Sequence, residues 1–146
     1  MKIKFTLDEG AYAPEKAHEA DAGFDLRAMY DSMGELEEYG QEAFDTGVHV
    51  EIPKGYVGYV QGRSGLNFKY GIICPTGTVD SGFTGSIKVK LYNMWNPDYN
   101  VPVPEIKAGD KIAQLVIQPL ADCTMVQVDN LGETERGDNG FGSTGR

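Results

Sequence analysis

The chain has 146 residues, a length that fits one domain with a real hydrophobic core. Its formal net charge is −9, from 22 acidic and 13 basic residues. This balance argues against a nucleic-acid partner, because duplex binding through a broad basic face needs many phosphate contacts. It does not exclude a small phosphorylated ligand, since a few arginines and a metal ion can reverse the potential locally.

No stretch approaches the roughly 18 apolar residues of a membrane span. The first residues also lack the hydrophobic run of a signal peptide. We therefore expect a cytoplasmic protein that does not use a membrane as a partner.

Alternating apolar and polar residues predict short β-strands along most of the chain. The alternation is clear at residues 3–7, 48–52 and 87–91, and residues 55–60 and 112–117 are further candidates. Glycines and prolines separate these segments, which is typical of an all-β barrel or sandwich.

Four other segments break this pattern. Residues 64–70 predict one or two helical turns, whereas residues 31–42 are acidic and predict a solvated loop. Residues 94–104 contain one tryptophan and three prolines and predict a long connection between strands. Residues 132–146 carry five glycines and one aromatic, so they cannot repay their ordering entropy alone. We expect a domain over residues 1–131 and a flexible arm over residues 132–146.

Cysteine and histidine give no metal signature, since no CxxC pair or Cys/His cluster occurs. Cys74 and Cys123 are expected to be buried, reduced thiols. His18 and His49 are isolated, and His49, between two valines, is expected on the solvent face of a strand.

A first candidate site is Gly62-Arg-Ser-Gly-Leu66. Arg63 offers a planar fork for phosphate oxygens, and Ser64 adds a hydroxyl. Gly65 lets the backbone come close, and a following helical turn would present free N–H groups to an anion. The alternative is an ordinary turn with a surface arginine.

A second candidate is the glycine-rich segment 136–145, whose amides could form an anion nest. It is not a Walker A loop, because Ser143 stands where that motif needs lysine. Phe141 could close over a nucleobase and stack on it. The alternative is a disordered tail.

Two acidic positions complete the candidates. Asp80 lies between Val79 and a glycine-containing turn, where it could point into a cleft from a hairpin, although an Asx-turn is favoured on local grounds. Asp21 and Asp25 are four residues apart and could hold Mg²⁺ directly or through water, with a surface turn as the alternative.

Together these segments make the sequence similar to the homotrimeric dUTP pyrophosphatases (dUTPases) over nearly its whole length. Five motifs occur in that family's order, at residues 22–26, 62–66, 77–85, 109–116 and 136–145. The resemblance implies an all-β, jelly-roll-like β-barrel of the dUTPase β-clip type with one short helix. It also implies a homotrimer with three active sites at subunit junctions, each covered by a neighbour's glycine-rich arm.

The resemblance implies an enzyme, a dUTP diphosphatase that uses Mg²⁺. Water would attack the α-phosphorus of dUTP and release dUMP and pyrophosphate. This reaction keeps uracil out of DNA and supplies dUMP for dTMP synthesis.

The resemblance also implies roles by position. Asp80 matches the general base, and Asp25 matches the acidic residue of the Mg²⁺ environment, acting through coordinated water. The residues that match phosphate contacts are Arg63, Ser64, Gly65 and Gln114 for the α- and β-phosphates, and Arg136, Ser143 and Thr144, beside Gly142 in the arm, for the γ-phosphate.

The uracil base would be read by the hairpin backbone at Gly77, Thr78 and Val79, with Phe141 stacked on it. A fixed amide donor facing O4 accepts uracil and rejects cytosine, whose 4-amino group is itself a donor. A tight hairpin wall would exclude the 5-methyl group of thymine.

The chain departs from the family's pattern at two positions. Phe83 stands where the family usually has a tyrosine packed on the deoxyribose, and we expect exclusion of ribose to survive because the flat face remains. Cys74 stands where relatives often carry a polar residue, and it is given no role. The loops 31–42 and 94–104 look longer than in compact relatives. Surface decoration is the preferred interpretation, and a binding site for a protein partner is the alternative.

Two other functions compete with dUTP hydrolysis. A dCTP deaminase shares the fold but needs a glutamate and typically has tryptophan where Phe83 stands, and the segment 74–80 fits the pyrophosphatase pattern better. A dUTP-gated regulatory protein of the same fold would switch a partner as its arm closes. It remains open as an added role.

Overall fold

The computed structural model describes residues 1–34, 36, 37, 39–94, 102 and 104–138. Over these residues it consists mostly of strands, with one short helix, so the predicted all-β class is confirmed. The elements are β1 (Lys4–Leu7), β2 (Phe24–Arg27), β3 (Gln41–Asp45), β4 (Val48–Glu51), β5 (Tyr56–Gly62), α1 (Ser64–Tyr70), β6 (Ile72–Ile73), β7 (Gly77–Val79), β8 (Lys88–Asn93) and β9 (Lys111–Pro119).

The strands form three antiparallel sheets. Their orders are β2-β9-β5-β7, β3-β8-β6 and β1-β4. The longest strand, β9, lies between β2 and β5 and pairs with β5 from Tyr56↔Pro119 to Gly62↔Ala113. Residues at the same level of β2, β9 and β5 are therefore held side by side, and this arrangement positions the site described below.

The core lies between the sheets and is built from the apolar positions of the alternating segments. Along 48–52 and 87–91 every apolar residue is buried, and the polar residues between them are exposed or half-buried. Leu26, Leu91 and Ile112 are fully buried. Each such side chain stabilises the fold by roughly 1.5–3 kcal/mol relative to an exposed one.

The predicted first strand is confirmed as β1. The expectation that its apolar face is buried is wrong within this chain. All four residues of β1 are exposed, with Phe5 at 46% and Leu7 at 40%. In the part of the chain that the structure describes, β1 pairs only with β4. Phe5 lines a cavity whose other walls include Leu115 and Ile117, so its ring is only partly covered in this chain.

The interpretation of 31–42 as a solvated loop is wrong in part. Strand β3 begins at Gln41, and Leu36 and Glu42 are only 4% and 3% exposed. The Glu42 carboxylate accepts hydrogen bonds from Ser32 Oγ at 2.6 Å and from the Met33 amide at 2.7 Å. A buried acid needs such partners, and here the loop itself supplies them.

The predicted helix is confirmed as α1, and it ends at Gly71, whose φ of 67° is the left-handed conformation that closes many helices. The helix has seven residues. No helix in the described ranges is long and apolar enough to cross a membrane.

After β9, residues 120–138 are exposed and form no strand. The prediction that both thiols are buried is wrong for Cys123, which is exposed in this segment, while Cys74 is half-buried. The division into a domain at 1–131 and an arm at 132–146 stays a prediction. Residues 139–146, with Phe141, Gly142, Ser143 and Thr144, lie outside the described residues, as does most of the connection 94–104.

Candidate active site

A buried carboxylate paired with two cations forms the centre of the candidate site. Asp25, in β2, is 8% exposed. Arg63 donates from Nη1 to its Oδ1, and the Nζ of Lys111 lies 2.6 Å from its Oδ2. A carboxylate is costly to bury unless it is paired, and here each oxygen has its own cation.

Strand register explains why these residues meet. Asp25 lies opposite Gln114 of β9, and Gln114 lies opposite Gln61 of β5. Strand β5 ends one residue later, and Arg63 follows with an extended backbone as the N-cap of α1. Its side chain makes no cap bond to the helix, and its guanidinium bonds across to Asp25 instead. Lys111 enters from the start of β9.

Two cavities flank Arg63. The first has a volume of about 210 Å³ and is lined by Ala17, Asp21, Ala22, Gly23, Asp25, Arg63, Ser64, Gly65 and Gln114. The second has a volume of about 410 Å³ and is lined by Gly62, Arg63, Ser64, Asn67, Ile72, Ile73, Cys74 and Gln114. The structure therefore brings together the predicted phosphate-contact residues of the barrel and the predicted metal-site residue, Asp25.

Sequence reasoning missed two residues that shape this site. A Cβ atom on Gly23 would lie 2.9 Å from Oε1 of Gln114, so only glycine at 23 leaves that side chain its place. Lys111 was not singled out either. Both residues stand inside the five motifs, at 22–26 and 109–116, and that position was the available signal.

The predicted base-reading residues form a different feature. Gly77, Thr78 and Val79 make up β7, which pairs with β5. Asp80 follows, is exposed, and its carbonyl accepts a hydrogen bond from the Phe83 amide at 3.1 Å, which closes a turn. We call residues 80–83 the Asp80 turn.

Within one chain the Asp80 turn lies far from Arg63. Val79 pairs with Gly58, so Asp80 stands at the level of residue 57, near the start of β5. Arg63 follows the other end of β5, six positions away. At about 3.3 Å per residue the two are separated by roughly 20 Å along the strand. The structure of the single chain does not bring Asp80 and Phe83 to the two cavities.

The ring of Phe83 lies over the backbone of Gly85. A Cβ atom on Gly85 would be 2.7 Å from Cζ of Phe83. Phe83 is 46% exposed, so its other face is available. The geometry offers a flat apolar surface next to Asp80.

Two remaining groups differ in their surroundings. Burial raises the pKa of the Cys74 thiol, so a neutral thiol lines the second cavity at neutral pH. Arg136, the only predicted γ-phosphate contact among the described residues, is exposed.

The side chains near the first cavity are oxygen donors of the kind that Mg²⁺ prefers: Asp21, Asp25, Ser64 and Gln114. Both oxygens of Asp25 already accept from cations. The described part of the chain contains no cluster of three or more acidic, histidine or cysteine residues able to hold a metal. This donor set fits an ion that keeps its waters and is held mainly by a ligand's phosphates, as Mg²⁺ commonly is.

Comparison with known proteins shows which family the chain resembles. The dUTPase family model matches residues 9–145. The deoxyuridine 5'-triphosphate nucleotidohydrolase of Corynebacterium efficiens is 44% identical over 142 residues, covering 96% of this chain and 75% of that protein. The enzyme of the same name from Zymomonas mobilis is 40% identical over 152 residues, covering 99% of both.

Solved structures share the fold. A variant of the Staphylococcus bacteriophage 80alpha dUTPase with dUpNHpp has a TM-score of 0.87 and 30% identity, and the match covers 99% of each chain. A variant of the dUTPase from phage phi11 of S. aureus, described for its coordination of a structural Mg(II) ion, has a TM-score of 0.78 and 28% identity, covering 89% of this chain and 98% of that one. The jelly-roll-like prediction is therefore confirmed.

These matches do not favour the two competing functions, deamination of dCTP and regulation gated by dUTP. The matched residues run through all five motifs, and the curated relatives above cover nearly the whole chain. The chain belongs to the dUTPase family.

Proposed function

We propose that the protein is a Mg²⁺-dependent dUTP diphosphatase that releases dUMP and pyrophosphate, and that it works as a homotrimer. The observation that carries the proposal is the convergence of Arg63, Ser64, Gly65 and Gln114 on one cavity around the paired carboxylate of Asp25. A cationic fork, a hydroxyl, an approachable backbone and an amide are the groups that hold a polyphosphate.

Arg63 is the residue that exchanges partners in this scheme. Its guanidinium bonds to Asp25 in the structure described, and a phosphate chain in the cavity would compete for the same donors. Lys111 stays at 2.6 Å from the other oxygen of Asp25, so the carboxylate keeps a counter-charge when Arg63 turns to phosphate.

Asp25 would face the magnesium ion through water, with Gln114 beside it. When bound, the ion would supply charge neutralisation at the phosphate oxygens. Asp25 orients the surrounding water by accepting hydrogen bonds, and the oxygen-only donor set described above supports this assignment.

Asp80 would act as the general base. Its exposed carboxylate accepts a proton from the attacking water as the water oxygen bonds to the α-phosphorus. The bond between the α-phosphorus and the bridging oxygen breaks, and pyrophosphate leaves with the electron pair. Phe83 would support the deoxyribose beside this base, and the backbone of Gly77, Thr78 and Val79 would read uracil.

The distance between Asp80 and Arg63 supports assembly from several subunits. The two residues are roughly 20 Å apart along β5. The general base must lie within hydrogen-bond reach of the water that attacks the α-phosphate, and Arg63 must contact that same phosphate. One nucleotide cannot meet both requirements across this distance. A site that uses both must take Asp80 from one subunit and Arg63 from another. The arm at 132–146, with Arg136, Phe141, Gly142, Ser143 and Thr144, would close it from a third.

Exposed apolar side chains also support a trimer. Phe5 and Leu7 on β1 are 46% and 40% exposed, and Met125 and Leu131 after β9 are 96% and 88% exposed. A cavity of about 520 Å³ beside β1 is lined mostly by apolar residues, including Phe5 and Ile117. An apolar surface such as the one around this cavity is typical of a protein interface.

The reaction is tested by pyrophosphate release with Mg²⁺ from dUTP, dCTP, dTTP and UTP. We expect hydrolysis of dUTP alone, lost in Asp80→Asn. Hydrolysis of UTP as well would mean that Phe83 does not exclude ribose. Binding of dUTP without turnover would contradict the enzymatic assignment.

Shared sites are tested by mixing two inactive variants, Asp80→Asn and Arg63→Met, carrying different tags. If the residues act from different subunits, random co-assembly should restore about a quarter of the wild-type sites. The matched control mixes Asp80→Asn with the double variant, which cannot form a complete site. Absence of recovery in verified mixed trimers would contradict the shared site.

The cytoplasmic location and the use of the loops 31–42 or 94–104 by a protein partner stay predictions. Fractionation of cells that express the chain would test the first. A pull-down with and without a non-hydrolysable dUTP analogue would test the second.

A further inference from the structure

His49, on β4, makes two contacts with its imidazole ring. Nδ1 lies 2.7 Å from the carbonyl oxygen of Thr84, and Nε2 lies 3.1 Å from Oδ1 of Asp8. A carbonyl and a carboxylate can only accept hydrogen bonds. For both contacts to be hydrogen bonds, both ring nitrogens have to donate, and only the protonated imidazolium has two N–H groups.

One of these partners is firmly placed in the barrel. His49 pairs with Thr6 across the β1–β4 ladder, and Asp8 follows β1 directly. The Asp8 amide donates to the Gly47 carbonyl at 2.9 Å. The backbone of Asp8 is thus held beside β4, and its side chain reaches Nε2 of His49 from there.

The other partner is the residue that directly follows the Asp80 turn. Thr84 directly follows Phe83, the ring proposed to support the deoxyribose. The incoming side of the turn is held by the pairing of β7 with β5. The outgoing side bonds to His49 through the Thr84 carbonyl, and two residues later Ser86 donates to the Asp45 carboxylate.

We propose that His49 is a positioning residue for the Asp80 turn, and that it acts as an imidazolium held between Asp8 and Thr84. It touches neither of the two cavities and is not a catalytic residue. The proposal deepens the proposed function, because it rests on the role given there to Asp80 and Phe83.

The charges around His49 favour its protonated form. The bond to the Thr84 carbonyl raises the pKa of His49, and Asp8 raises it further as hydrogen-bond partner and as charge. Partial desolvation acts the other way, and the negative charge of Asp45 adds to the increase.

The cations on the neighbouring strands are themselves paired with acids. Lys4 of β1 lies 2.9 Å from Glu51 of β4, and Lys88 of β8 lies 3.8 Å from Asp45. On the elements adjacent to His49, Lys4 is therefore balanced by Glu51 and Lys88 by Asp45. Asp8 is an additional negative charge.

Loss of one proton would break this arrangement. A neutral ring keeps a single N–H, so either Nδ1 or Nε2 would present a lone pair to an oxygen acceptor. The segments on either side of the Asp80 turn would keep their own bonds: β7 stays paired with β5, and the Ile87 amide still donates to the Val48 carbonyl at 2.9 Å. We therefore expect a looser Asp80 turn in an otherwise folded protein. The kcat/KM for dUTP should fall as pH rises through the pKa of His49.

Three single variants test the proposal. His49→Asn retains an amide donor near the Nδ1 position but cannot titrate. Asp8→Asn removes the acid that favours the imidazolium. His18→Asn changes the other of the two histidines and is the matched control.

The measurement is kcat/KM for dUTP between about pH 6 and about pH 9, with the histidine titrations followed by NMR. Ionisation of the nucleotide is common to all samples and cancels in the ratio to His49→Asn. We expect that ratio to fall about threefold to tenfold for the wild type as pH rises, the size of one hydrogen bond. In Asp8→Asn the fall should move to lower pH together with the NMR titration of His49, and His18→Asn should follow the wild type.

The proposal is overturned if His49→Asn has the same pH profile as the wild type, or if Asp8→Asn leaves the titration of His49 unmoved. A wild type that does not hydrolyse dUTP would instead sink the proposed function. In that case the NMR chemical shifts of the Phe83 and Thr84 backbone amides still test the role of His49. They must change with the titration of His49 if His49 holds the turn.

Discussion

The ammonium of Lys111 lies 2.6 Å from Oδ2 of Asp25, on the opposite side of the carboxylate from Arg63. Asp25 is therefore not simply the partner of Arg63. It is a buried acid with a separate cation on each oxygen. In the proposed function, Lys111 would keep Asp25 paired when Arg63 turns to a phosphate, and an uncompensated buried charge is among the costliest defects a fold can carry.

We expect Lys111→Met to lower the free energy of unfolding by about 1–2 kcal/mol, below the usual value for a fully buried pair because Lys111 is 32% exposed. The KM for dUTP should rise, since Arg63 becomes the sole cation of Asp25. Urea unfolding at fixed protein concentration and steady-state kinetics measure the two effects. The matched control is Lys4→Met, which breaks a pair that is 80% and 62% exposed and should cost under about 1 kcal/mol. Equal decreases in the free energy of unfolding of Lys111→Met and Lys4→Met would contradict the claim that Asp25 depends on Lys111 as a buried partner.

Gly85→Ala should separate substrate choice from stability. The new Cβ atom would displace the ring of Phe83, whose end is free to move, so the free energy of unfolding should change by less than about 0.5 kcal/mol. The displaced ring should weaken the preference for dUTP over UTP, which competing-substrate assays measure. Gly132→Ala, where a Cβ meets no atom within 4 Å, is the control. An unchanged preference in Gly85→Ala would argue that Phe83 does not contact the sugar.

Asp45 should contribute stability that depends on pH. Burial alone would raise the pKa of Asp45, but bonds from Ser86 and the Gly47 amide and the charge of Lys88 lower it below its ordinary value of 3.8. A carboxyl with a lowered pKa stabilises the fold above its unfolded pKa, and this contribution disappears as pH falls through the folded value. Asp45→Asn should therefore be less stable than the wild type by about 1 kcal/mol at neutral pH.

The difference in free energy of unfolding between the wild type and Asp45→Asn should become smaller below about pH 4. Urea midpoints at the two pH values provide the measurement. Ser86→Ala removes one donor but keeps the charge, so it should show part of the same narrowing. A constant difference across the range would show that Asp45 does not titrate in the folded state as described.

Cys74 offers a label for the second cavity. In a Cys123→Ser background, Cys74 should react slowly with Ellman's reagent, because the thiol is half-buried and burial raises its pKa. The analogue dUpNHpp should slow the reaction at least about tenfold further, since Cys74 shares its cavity with Arg63 and Gln114. Urea-unfolded protein gives the unprotected rate. Equal rates with and without the analogue would place the nucleotide elsewhere.

Local sequence determined most of the secondary structure, and the motifs determined the family. The alternation at 48–52 and 87–91 specified strands with a buried face, and residues 64–70 specified the helix, because periodicity and turn residues act over a few neighbours. The candidate site could be predicted as a set of residues, since the five motifs name Asp25, Arg63 and Gln114.

Tertiary structure decided which of those residues meet. The register of β2, β9 and β5 puts Asp25, Gln114 and Arg63 together. The antiparallel strand β7 carries Asp80 to the other end of β5. No local sequence pattern encodes these strand pairings. Burial was decided at the same level. Periodicity marked β1 as having an apolar face, yet whether that face is covered depends on a second layer that distant parts of the chain, or another chain, must provide.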